Sequence, residues 1–186
     1  LEDEFYSSFN LNMNKWRIVA GAWTIKTPVY LRGVGKVDHD ASVVQKQLFK
    51  PGMGYTVMMK RKIESNTPNR VYFLGYPYTN EGEVRDDGWD DVYIFEYTND
   101  GYWGLRKRVD GVETTLLPET GSWEFSEFIF PYGWNELSVW AVDSSIHLWI
   151  NGEYLDKYVL PEPLSEGYVG IGVYEGDSLK SPLLVD

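Results

Sequence analysis

The chain of 186 residues contains no cysteine and only two histidines, His39 and His147. The first absence excludes disulfides, thiolate metal sites and cysteine nucleophiles. The second excludes a multi-histidine zinc centre and leaves any Ser-His-Asp triad one of two rings to use. Ala20, Ala22, Ala41 and Ala141 are the only alanines. No stretch keeps a 3.6-residue apolar period over three turns, so amphipathic helices are not expected. No apolar run approaches the roughly 20 residues that cross a bilayer as a helix. Basic residues are scarce too: 17 Lys and Arg stand against 28 Asp and Glu, a net charge of -11. A phosphate backbone or an anionic membrane surface repels such a chain, so neither nucleic acid nor membrane insertion is expected. No charged-apolar-small leader is visible, and one removed before Leu1 would leave the same sequence.

Aromatic residues are abundant: 8 Trp, 14 Tyr and 8 Phe, within a hydrophobic fraction of 43%. A chain of this length buries one core without disulfides, so residues 1–186 are expected to form a single domain. Disordered chains lack this aromatic content. Segments 16–20, 23–26, 42–48, 55–63, 71–76, 92–97 and 102–109 are short, β-branched and aromatic, and are bounded by Gly, Pro, Asn and Asp. Those are strand signals. Turns are expected at Lys50-Pro51-Gly52, Asn99-Asp100-Gly101, Asp110-Gly111 and Asn151-Gly152. The last two suit type I′ hairpins, whose central residues both need positive φ. There is no internal repeat, low-complexity tract or linker. The pattern predicts an antiparallel β-sandwich.

Residues 134–142 and 146–150 give the clearest alternation. Leu137, Val139 and Ala141, with Ile146, Leu148 and Ile150, form core faces. The opposite faces carry Ser138, Trp140, His147 and Trp149. The turn is Asp143-Ser144 or Ser144-Ser145, so Trp140 lies opposite His147 or Trp149. Either a loop or a neighbouring module covers these rings, or they form a platform for a sugar ring or a partner protein.

Three motifs carry a resemblance: Trp134-Asn135-Glu136-Leu137, then Ile146-His147-Leu148-Trp149-Ile150-Asn151-Gly152-Glu153, then Glu166-Gly167-Tyr168-Val169-Gly170-Ile171-Gly172-Val173. They resemble the C-terminal half of concanavalin A-like lectin/glucanase (laminin G-like) domains. Residues 92–97, Asn99-Asp100-Gly101-Tyr102 and Val109-Asp110-Gly111 resemble bacterial extracellular, non-catalytic versions of that fold. Glu4-Phe5, Trp16 and Trp23 fit its opening strand and return. The resemblance implies an all-β, concanavalin A-like jelly-roll sandwich of two curved antiparallel sheets, with ligand on the concave face. It also implies a module of a larger extracellular or cell-surface protein, with neighbouring domains as partners.

Glucanases of this kind carry E-x-D-x-E on a concave strand, and its outer carboxylates act as nucleophile and acid/base. A retaining mechanism holds such a pair about 5–5.5 Å apart. The best local match places Asp91, Tyr93 and Phe95 at those positions. Alternation sends Glu96 to the opposite face. The resemblance therefore implies a carbohydrate-binding module, for polysaccharide or glycan, rather than a glycanase. Its expected ligand-binding residues are Asp91, Tyr93, Phe95, Tyr97, Arg106, Arg108 and Tyr174. Leu105 and Val109 are expected inward, Lys107 at an edge or bulge, and Gly170 and Gly172 where a ligand approaches the backbone. Trp140, His147 and Trp149 form a secondary surface. The alternatives are a structural, protein-interaction or sensor domain, and a divergent glycoside hydrolase. The hydrolase needs a second carboxylate near Asp91, drawn from Glu83, Asp86, Glu96 or Glu175.

The resemblance also implies a structural calcium ion at Asp186, with Glu2, Asp3, Glu4, Asp38 and Asp40 as further carboxylates; hard oxygen donors suit calcium. Asp86-Asp87-Gly88-Trp89-Asp90-Asp91 is acidic but lacks EF-hand spacing. It reads as a second metal loop or as a solvated turn. Asp38-His39-Asp40 reads as a carboxylate-flanked base or as a surface loop.

Overall fold

The computed structural model describes residues 15–26, 30–34, 39–61, 67–77, 88–175 and 182–186, with backbone alone at 25, 26, 30, 39, 40 and 175. No helix occurs among the described residues. The strands in chain order are β1 (Trp16–Ala20), β2 (Ala22–Lys26), β3 (Tyr30–Val34), β4 (His39–Phe49) and β5 (Gly54–Arg61). There follow β6 (Asn69–Gly75), β7 (Val92–Tyr97), β8 (Tyr102–Val109), β9 (Val112–Leu117) and β10 (Glu124–Phe125). The last are β11 (Asn135–Val142), β12 (Ser145–Ile150), β13 (Glu153–Val159), β14 (Gly167–Glu175) and β15 (Leu183–Val185). They form two antiparallel sheets. Sheet I runs β1-β4-β14-β6-β7-β8-β10, with β9 also on β8; sheet II runs β13-β12-β11-β5-β15-β3-β2.

The turn dipeptides act as their chemistry requires. Asp110-Gly111 joins β8 to β9 and Asn151-Gly152 joins β12 to β13, each with both residues at positive φ (50° and 76°; 53° and 82°). The β11–β12 turn is Asp143-Ser144, since Val142 pairs with Ser145; Trp140 therefore lies opposite His147.

Two asparagines of the quoted motifs have a definite structural task. Asn135 is fully buried; its side chain accepts from the Phe130 N–H at 2.7 Å and donates to the Phe130 carbonyl at 3.0 Å. The Asn151 amide donates to the Phe128 carbonyl at 2.6 Å and to Asn135 Oδ1 at 2.9 Å. Together they hold the irregular segment ahead of β11 against the hairpin, satisfying backbone groups that no strand pairs.

The inner faces of the sheets make the main core. Sheet II contributes Leu137, Val139, Ala141, Ile146, Leu148 and Ile150, as alternation predicts. Sheet I contributes Val71, Phe73, Tyr93, Phe95, Tyr97, Leu105, Val169, Ile171 and Val173. A second, smaller cluster of Val44, Tyr72, Trp89, Val92 and Ile94 lies on the outer face of sheet I.

Candidate functional site

The second cluster overturns part of the expected site. Tyr93, Phe95 and Tyr97 point between the sheets, not toward a ligand; they are 6%, 0% and 0% exposed. Burial pushes the Tyr97 hydroxyl well above its ordinary pKa, and that hydroxyl donates to the Met59 carbonyl at 3.1 Å. Asp91 precedes β7 at φ 43° and pairs with Lys107 Nζ at 3.1 Å. Lys107 also lies 4.9 Å from the centre of the Tyr93 ring, and the β8–β9 register shifts between Leu105 and Arg106, next to it. Burial alone would lower its pKa; the Asp91 carboxylate and Tyr93 outweigh this and raise it. The outer face of β7 carries Val92, Ile94 and Glu96. Alternation could not distinguish the two faces, because Val-Tyr-Ile-Phe-Glu-Tyr is almost wholly apolar on both.

The outer face is apolar because Trp89 covers it. Its ring stacks on Tyr72 at 5.1 Å between centroids and 2° between planes, and its indole N–H donates to Ser42 Oγ at 3.1 Å. The glycines of β14 admit these rings. A Cβ on Gly170 would lie 2.2 Å from Trp89 Cζ2, and one on Gly172 would lie 2.8 Å from Tyr72 Cε2. The space expected for a ligand above Gly170 and Gly172 is thus filled by the protein itself.

Beyond this apolar plug the outer face becomes polar. Registers place Arg70 beside Glu96, Ile94 beside Arg106, Val92 beside Arg108, and Arg108 beside Glu113. Glu96, fully buried, accepts from Arg70 Nε at 2.8 Å and from Arg106 Nε. Glu113 accepts from Arg70 through Nη1 at 3.1 Å and Nη2 at 3.2 Å, and from Arg108 Nε at 3.1 Å. Arg106 also donates to Thr115 Oγ1 at 2.8 Å and to the Ser122 carbonyl at 3.1 Å. The Arg70 guanidinium lies 5.3 Å from the Tyr174 ring centre, and that of Arg106 lies 4.8 Å from that of Trp123. Of the seven expected ligand residues, the structure brings Arg106, Arg108 and Tyr174 together here. It adds Arg70, Glu113 and Trp123, which the sequence reading does not single out, and Glu96, which that reading sets on the face away from Asp91. One signal was available: a lone Glu96 in an apolar strand needs a buried cationic partner.

Of the other carboxylates considered as partners for Asp91, Glu83, Asp86 and the Glu175 side chain lie outside the described residues. So do Asp38, the His39 and Asp40 side chains, Asp87, and Glu2-Asp3-Glu4-Phe5. The His39 backbone belongs to β4, opposite Glu175, rather than to a loop. Asp90 caps the neighbouring turn, its Oδ1 accepting from the Asp110 N–H at 2.7 Å. Asp186 is exposed after β15, tied to Met58 through both backbone groups. Among the described residues no group of three His, Asp or Glu side chains is placed to hold a metal ion.

On the outer face of sheet II, Trp140, His147 and Trp149 stand together as expected, joined by Tyr154 of β13. Ring centroids lie 5.5 Å apart for Trp140–His147, 6.0 Å for His147–Trp149 and 5.2 Å for Trp149–Tyr154. Both imidazole nitrogens are engaged, with Ser145 Oγ at 3.2 Å and Tyr154 Oη at 3.4 Å. Burial lowers the His147 pKa, and Lys157 acts in the same direction.

This architecture matches solved structures of sugar-active proteins. A carbohydrate binding module, CBM66 from Bacillus subtilis, superposes with a TM-score of 0.64 at 13% identity, covering 93% of each chain. The Bacillus licheniformis β-glucanase gives 0.67 at 12% identity, covering 95% of this chain and 91% of that one. The catalytic domain of an endo-1,3-β-glucanase (laminarinase) from Thermotoga petrophila gives 0.64 at 10% identity, covering 98% and 93%. No protein-family model and no curated protein matches the sequence. At these identities the likeness is one of fold: a glucanase-like, concanavalin A-like jelly roll. No helix among the described residues is long and apolar enough to cross a membrane.

Proposed function

We propose that the protein is a non-catalytic carbohydrate-binding module of an extracellular or cell-surface protein, taking polysaccharide or glycan at the polar end of the outer face of sheet I. One observation carries this reading. Glu113 is held between Arg70 and Arg108, and Arg70 in turn lies over the Tyr174 ring, a preset group of donors, acceptors and an aromatic ring. Fixed polar groups hydrogen-bond sugar hydroxyls, while a ring packs on the C–H face of the sugar. The same arrangement opposes hydrolysis. Among the described residues, the two carboxylates of this polar cluster, Glu96 and Glu113, are each engaged by two guanidiniums, which leaves neither free to attack a sugar.

The test is retardation in gels containing laminarin, a mixed-linkage β-1,3-1,4-glucan or mucin, run with calcium and with a chelator. Retardation that Arg108→Ala and Tyr174→Ala each weaken, with no reducing ends released, is the expected result. Glycan cleavage, or retardation indifferent to both substitutions, overturns the reading. The chelator arm also tests calcium at Asp186.

A second reading, a protein-interaction or sensor domain, is favoured by Phe125, Phe128 and Phe130, exposed at 63%, 38% and 53% along the segment held by Asn135 and Asn151. An exposed apolar patch of this kind suits docking of a neighbouring domain. Absence of retardation in every gel would favour it.

A further inference from the structure

The aromatic row on sheet II is not uniform. His147 stacks on Trp149 with 20° between planes and lies tilted by 36° against Trp140, while Tyr154 closes the far side of Trp149 edge-on. The rings therefore stand off the sheet and cover one another's faces. Trp140 is the end of the row. Among the described residues His147 is the one aromatic ring paired with it, and it stays 43% exposed.

Its neighbour across β5 explains why the other face stays bare. Trp140 pairs with Gly54. A Cβ built on Gly54 would meet only the Val139 carbonyl oxygen, at 3.8 Å. No Trp140 atom thus comes within 4 Å of that position, so the ring does not lie over Gly54, and among the described residues the step above the Gly54 backbone is open. One pair further along the same strands and face, Thr56 Oγ1 and Ser138 Oγ lie 2.8 Å apart. Neither the Trp140 nor the Trp149 indole N–H has an acceptor among the described residues.

We propose that this step is a second saccharide site, in which one pyranose packs its C–H face on Trp140 above Gly54. Its hydroxyls then meet the Thr56–Ser138 pair and the Trp140 indole N–H. The size of the apolar surface selects the occupant. A stable protein interface takes roughly 800 Å² from each partner, and the partly exposed Trp140, Tyr154 and Met58 of this face, interrupted by the Thr56–Ser138 hydroxyls, fall short of that. A sugar ring has one apolar face and a rim of hydroxyls, which matches an indole face with donors and acceptors at its edge. The site lies on the sheet opposite the arginine cluster and does not depend on it.

The test is a titration of 15N-labelled protein with methyl β-D-glucopyranoside, methyl β-D-galactopyranoside and methyl α-D-mannopyranoside, following the Trp140 indole N–H signal. A saturable shift with at least one of them is expected. Gly54→Val should abolish the shift without lowering Tm, because the new side chain occupies the open step and its Cβ is in ordinary contact with the Val139 carbonyl oxygen alone. Thr56→Val, which keeps the side-chain shape and removes the hydroxyl, should weaken binding roughly five- to tenfold, about one hydrogen bond. Arg108→Ala should leave the shift intact, even if it abolishes polysaccharide retardation, so the two sites can fail separately. No saturable shift with any of the three glycosides overturns the proposal. So does a shift that survives both Gly54→Val and Thr56→Val, or a Trp140 signal that responds only to protein concentration, the mark of self-association.

Discussion

Glu96 shows most clearly how a single residue changes the reading of the molecule. It is the one carboxylate on the outer face of β7, fully buried, and it accepts hydrogen bonds from Arg70 and Arg106. Removing one partner of a buried charge group leaves the others uncompensated in a poorly solvating environment. Glu96→Ala is therefore expected to destabilise the protein by about 3–5 kcal/mol. Glu96→Gln, which keeps an acceptor, should cost less. Urea unfolding of both variants measures the difference, and equal losses would show that charge is not what Glu96 contributes. Its burial was not legible from alternation, because alternation needs one polar face and β7 has none.

At the scale of elements, two strand glycines have opposite meanings. Gly170 of β14 lies beneath Trp89, and a Cβ there would also lie 2.4 Å from the Val43 carbonyl oxygen. Gly170→Ala should cost roughly 1–3 kcal/mol by overpacking and should expose Trp89, seen as a red shift in tryptophan emission. Gly54 of β5 faces open space, so Gly54→Ala should be neutral or stabilise by about 0.4–1 kcal/mol, through the unfolded state. Thermal or urea unfolding of the pair checks both signs. Equal effects would contradict the assigned surroundings. The sequence marks both positions as glycine in a strand and cannot tell a filled notch from an empty one.

For the whole molecule, the two sheets present two chemically different outer faces. One is an aromatic plug merging into an arginine-carboxylate cluster; the other is an aromatic row ending in an open step. Packed sheets lie about 10 Å apart; Arg108 binds Glu113 on one outer face, and Trp140 packs on His147 on the other. Their Ala substitutions should therefore change unfolding free energy additively, within about 0.3–0.5 kcal/mol in the double variant. A larger coupling would mean that the faces communicate through the core.

Much of the fold was legible without coordinates. Turn dipeptides demanding positive φ, short β-branched and aromatic segments, and the alternation of β11 and β12 follow from local chemistry, and they predicted the sandwich and the hairpin that presents Trp140, His147 and Trp149. The site was legible only in part. Arg106 and Arg108 are expected on the outer face of sheet I because they alternate with Leu105, and Tyr174 because it alternates with Val169, Ile171 and Val173, and the structure has all three there. Tyr93, Phe95 and Tyr97 were not, because Val92 and Ile94 make the outer face of β7 as apolar as the inner, and Trp89, just ahead of β7, covers that face by packing on Tyr72 of β6 and Gly170 of β14. Which face a strand turns to solvent depends on what packs over it, and that is a property of residues far apart in sequence. It is settled only when the chain is folded.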